Sequence, residues 1–68
     1  MNKKLIKRMI TYLKKYRQDF AWDANMARLD PNAPQMMKNR LIAYEQVSEC
    51  IEDLERMLDE NRRVEKQD

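Results

Sequence analysis

The chain has 68 residues, a net charge of +2, one cysteine and neither glycine nor histidine. A single core of this size rarely supplies more than about 3–5 kcal/mol, so one domain supported by long packed helices or by self-association is expected. One thiol makes no disulfide, the lack of histidine removes the usual zinc ligands, and the lack of glycine removes phosphate-cradling loops and dinucleotide fingerprints.

The basic start, "MNKKLIKRMITYLKKY", is interrupted by charge too often to be a signal core or a membrane span, and the longest apolar run is "LIAY", residues 41–44. No targeting segment is expected, and a lone thiol fits a reducing cytoplasm. From Lys3 to about Leu29, apolar residues recur at Ile6, Met9, Leu13, Tyr16, Phe20, Ala24 and Ala27. Steps of three and four predict one helix over about 3–29, some 40 Å long at about 1.5 Å per residue. Leu5, Ile10 and Tyr12 widen its apolar face to about 160° of arc.

"DPNAP", residues 30–34, then interrupts the pattern. Each proline disfavours helical geometry in the residue before it, so Asp30 and Ala33 are expected to be extended and residues 30–34 to form a turn. Asn32 followed by Gln35 reads as a capping box that opens the second helix. That helix is expected over about 35–62 on Met37, Leu41, Tyr44, Val47, Ile51, Leu54 and Leu58, flanked by Met36, Ala43, Cys50 and Met57, with 63–68 as a frayed tail.

Charge says how the helices meet. Residues 1–18 carry seven bases and no acid, whereas residues 45–60 carry seven acids against Arg56, a net of −6. Like charges one turn apart, as in Lys3–Lys7 and Lys4–Arg8, and bases at a helix start work against each helix separately. Reversal at residues 30–34 lays the basic start beside the acidic end. Facing residue numbers then add to about 64: Ile6 with Leu58, Leu13 with Ile51, Phe20 with Tyr44, Ala27 with Met37. Asp23 and Arg40, each misplaced in an apolar stripe, would meet and set the register. The sequence therefore predicts an all-α, antiparallel two-helix hairpin over residues 1–68. Its apolar arcs exceed a two-helix seam, so a homodimeric four-helix bundle is expected.

Little in the chain can do chemistry. Glu45, Glu49 and Glu52 have helical spacing but lie opposite the apolar stripe, where acids are ordinarily solvated. Cys50 has acidic sequence neighbours and no histidine to activate it, and is expected to be a small buried residue. Ser48 and Thr11 lack an activating partner, so no enzyme, metal or cofactor is expected. Trp22, Met26 and Leu29 follow i, i+4, i+7 spacing opposite the main stripe and form the candidate surface for a larger protein partner. The expected role is a regulator, inhibitor or adaptor, including one encoded by a mobile element. The second reading is nucleic-acid association through the basic face of Lys3, Lys4, Lys7, Arg8, Lys14 and Lys15. Membrane binding is not expected, because the hairpin uses the apolar face.

Overall fold

The computed structural model describes residues 2–67, with side chains up to Glu60. Among these residues the chain is helical without a strand: α1 is Lys3–Gln18, α2 is Ala21–Leu29 and α3 is Gln35–Gln67. α3 packs against both α1 and α2. The molecule measures 54 × 17 × 12 Å, and its thinnest dimension is about one helix diameter. It is a single layer of helices, whereas domains usually bury their apolar faces between two or more layers.

The start of α1 is capped by Asn2, whose Oδ1 accepts from the Leu5 N–H at 3.1 Å while its carbonyl accepts from Ile6 N–H. This cap satisfies one free backbone donor where Lys3 and Lys4 oppose the helix dipole.

The helix expected to run unbroken from 3 to 29 is two helices. At its end α1 tightens: Asp19 N–H donates to the Tyr16 carbonyl and Phe20 N–H to that of Arg17, both across three residues, at 3.2 and 3.3 Å. Phe20 leaves helical geometry at φ −121°, ψ 17°. Its carbonyl then accepts from Ala24 N–H and starts α2. No glycine or proline marks this break, but two physical terms favour it. An apolar repeat of seven drifts about 20° per heptad on a straight helix, or about 60° between Ile6 and Ala27; one tight turn removes that drift. Phe20 is held there by edge-on contacts with Tyr16 and Tyr44, at centroid distances of 5.1 and 6.3 Å.

The turn at 30–34 forms around Asp30, which is extended at φ −122°, ψ 106° before Pro31. Its carboxylate accepts from Asn32 N–H at 2.9 Å and its carbonyl from Ala33 N–H at 3.1 Å, a side-chain turn and a backbone turn closed on one residue. The expected Asn32–Gln35 capping box is replaced. Gln35 Nε2 reaches forward to Asn39 Oδ1 at 3.0 Å, and the Pro34 carbonyl takes the first helical bond, from Lys38 N–H. α3 continues to Gln67, past the expected end near 62. Asn61–Gln67 contains no breaker, and its Arg, Glu and Lys residues sustain a helix. Asp68 and the side chains beyond Glu60 lie outside the described residues.

The core is thin. Ile6, Ile10 and Ile51 are buried together, with Leu13, Val47, Leu54 and Leu58 packed around them. Ala24 and Ala33 are buried nearer the turn. The seam of α1 is therefore Ile6, Ile10, Leu13 and Arg17, not the expected run through Met9 and Tyr16, which are exposed.

Candidate interaction surface

At the break, a small polar cluster ties α1 and α2 to α3. Arg17 occupies an apolar slot of the seam, four residues after Leu13. It donates from Nη1 to Ser48 Oγ at 3.0 Å and lies 5.3 Å from the Tyr44 ring centroid. Arg28 approaches the same ring at 5.5 Å and Glu45 Oε1 at 3.9 Å. A ring that receives two guanidinium groups and the edge of Phe20 is fixed from several directions. Sequence reading missed Arg17, although it continues the 4, 3, 4 spacing of Ile6, Ile10 and Leu13.

Asp23 and Arg40 are brought together: Arg40 Nη1 donates to Asp23 Oδ2. The Asp23 side chain is 16% exposed and that of Arg40 46%. The pair lies between a surface contact and a buried one, and it fixes α2 on α3 next to buried Ala24.

The outer face of α2 is bare. Trp22 is 72% exposed, Leu29 is 80% exposed, and Met26 between them is also exposed. All three lie on the helix face opposite Ala24, so anchoring α2 by Ala24 and Asp23 turns the patch outward. Neither the turn nor Ile42 folds over it; Ile42 is itself exposed.

The two flanks of the α1–α3 seam differ in chemistry. On one, Lys7, Ile10 and Thr11 face Glu55, Leu58 and Asp59 across an open groove. Basic and acidic segments meet here, and Thr11 Oγ1 turns back to donate to the Lys7 carbonyl at 3.0 Å. On the other, Met9, Leu13, Cys50, Asp53 and Leu54 line an open, mostly apolar groove of about 300 Å³. At 100° per residue, Lys7 and Met9 project about 160° apart, which puts the grooves on opposite sides of the slab. Leu5, Met9, Tyr12 and Tyr16 continue the apolar side along α1, and Cys50 and Met57 along α3; all six are exposed. Cys50 was expected to be buried. It is free and exposed because the seam of α3 centres on Val47, Ile51 and Leu54, one step around the helix.

The predicted basic face is divided. Lys7 faces the acids of α3, while Lys4, Arg8 and Lys15 lie along the outer edge of α1, exposed. Lys14 is exposed and Lys3 half-exposed. Among the described residues, no group of three or more Cys, Asp or Glu is placed to hold a metal ion, and no helix is long and apolar enough to cross a membrane. No family model, curated protein or solved structure matches the chain.

Proposed function

We propose that this protein is a non-enzymatic helical interaction module, a cytoplasmic regulator, inhibitor or adaptor that works by occupying a site on a larger protein. In this reading its three helices form an antiparallel hairpin with a kinked first arm, and two copies pair into a bundle. The observation that carries the reading is the exposure of Trp22, Met26 and Leu29 on a helix whose opposite face is held by Ala24 and the Asp23–Arg40 contact. Large aromatic and flexible apolar side chains concentrate binding energy at protein interfaces, and here a rigid helix presents them.

The test is affinity capture from the native host with the native chain and with Trp22→Ser plus Leu29→Ser. A protein retained by the native chain and lost by a variant of unchanged helicity supports the reading. Identical captures by both overturn it. The nucleic-acid reading predicts instead that DNA or RNA binds at low salt, dissociates steeply as salt rises, and is lost in Arg8→Glu plus Lys15→Glu. The placement of Lys7 against Glu55 and Asp59 weighs against it, since those acids offset part of the basic field.

A further inference from the structure

We propose that a second copy of this chain covers the apolar side of the slab, related by a two-fold axis parallel to the helices, so that α1 of each copy lies on α3 of the other. The proposal rests on the dimer reading above and adds the surface and the orientation. A layer about one helix thick, with Leu5, Met9, Tyr12 and Tyr16 exposed in a row beside Cys50 and Met57, lacks the second layer that buries such a side. The opposite side, with Lys7 against Glu55 and Asp59, is already matched in charge.

Charge on the edges selects the orientation. The apolar side is bounded on the α1 edge by Lys4, Arg8 and Lys15 and on the α3 edge by Glu49, Asp53 and Glu60, all exposed. Arg56 on the same α3 edge is paired with Asp53 at 3.6 Å and leaves that edge net acidic. Asp53 itself lines the apolar groove. A two-fold axis across the helices would set α1 on α1 and α3 on α3, base against base and acid against acid. An axis along the helices sets the basic edge on the acidic edge at both sides of the dimer.

Register agrees. The contact of Phe20 with Tyr44, and of Ile6 and Leu13 with the Ile51 cluster, puts residues whose numbers add to about 64 at one level. Rotation about an axis parallel to the helices leaves levels unchanged. Lys15 of one copy is therefore level with Glu49 of the other and Lys4 with Glu60, while Arg8 is level with Arg56 and within one turn of the Asp53 carboxylate that Arg56 pairs with. In the apolar layer, Leu5 and Met9 bracket Met57 of the second copy, and Tyr12 and Tyr16 bracket the small Cys50.

The test uses sedimentation equilibrium at low salt on the full chain. Arg8→Glu plus Lys15→Glu, and separately Glu49→Lys plus Asp53→Lys, are each expected to raise the dimer Kd about tenfold or more. The chain carrying all four changes is expected to return to within about threefold of native. A second measurement on the unaltered protein asks whether mild oxidation links two copies through Cys50. The proposed axis puts the two thiols on diagonal helices, beyond the roughly 7 Å Cα separation a disulfide tolerates, so no linked dimer is expected. A dimer indifferent to both charge reversals, or one rapidly linked at Cys50, overturns the orientation and leaves the dimer reading standing. A native chain that stays monomeric at high concentration overturns both.

Discussion

Breaking the Asp23–Arg40 contact from either side is expected to cost more than removing it altogether. Asp23 is mostly enclosed at 16% side-chain exposure, while Arg40 is about half open at 46%. Exposed ion pairs are worth about 0.2–1 kcal/mol, and stranding one partner of a fully buried pair costs about 3–5 kcal/mol. This geometry lies between those cases, so Arg40→Leu should cost about 1–2 kcal/mol by leaving the enclosed carboxylate without its guanidinium. Asp23→Leu should cost somewhat less, because Arg40 can turn toward water. For a domain of this size about 1.5 kcal/mol corresponds to roughly 6–12 °C in Tm. In the double variant two leucines meet beside Ala24, and stability should recover to within about 0.5 kcal/mol of native. The assay is urea and thermal unfolding followed by far-UV circular dichroism, at one fixed protein concentration because self-association shifts Tm. Single costs that simply add in the double variant would refute the argument, since independent sites add within about 0.3–0.5 kcal/mol.

Ile51 is 2% exposed in the centre of the core cluster. Ile51→Ala should cost about 2–5 kcal/mol, comparable with the whole stability of so small a core, and should abolish cooperative unfolding. Ile42→Ala, on the exposed face of the same helix, should change stability by less than about 0.5 kcal/mol. Arg17→Met keeps the packing volume but removes the hydrogen bond to Ser48 and the cation over Tyr44. It should cost about 0.5–1.5 kcal/mol in urea unfolding, and Ser48→Ala made on top of it should add little.

Helical class, the turn and the level at which the helices meet were legible because each rests on a strong local or pairwise signal. Two prolines, Pro31 and Pro34, in the segment just before α3 stop the first pattern, and opposed charge blocks favour reversal. A stray acid and a stray base at matching heights agree with the Phe20–Tyr44 contact. The break at Asp19–Phe20 was not legible. It is written in no breaker residue, only in the need of Phe20 to reach Tyr44 after the drift accumulated along the 16 residues of α1. The choice of seam failed for a related reason. Met9 and Tyr16 fit the spacing as well as Ile10 and Arg17 do, and periodicity scores a hydrophobic step without weighing what the opposite helix offers. Ser48 and the ring of Tyr44 make Arg17 welcome in a slot that hydrophobicity alone would refuse it. On α3 the seam runs as expected through Val47, Ile51 and Leu54, and Cys50 is exposed because the contact with α1 leaves that flank uncovered.

The direction of the dimer axis decides how the Trp22 patches would be displayed, and this can be measured without any partner. The apolar side centres near Tyr12, and Asn32 in the turn lies about twenty helical residues further on, or about 30 Å along the axis. Under a two-fold axis across the helices the two turns stand at opposite ends, about 60 Å apart. An axis along the helices leaves both turns at the same end, separated by little more than one helix layer of about 10 Å and the label arms. Spin labels on Asn32→Cys, in a chain whose Cys50 is replaced by alanine, should therefore report a separation below about 30 Å. A distance near 60 Å would refute the axis. The short distance carries a functional consequence: the two patches of Trp22, Met26 and Leu29 lie at the same end of the dimer on opposite edges, so a two-fold partner that straddles that end would engage both together. The second contact would then form at the effective concentration of a linked site, so charge reversal at Arg8 and Lys15 should weaken binding to such a partner without touching the patch itself.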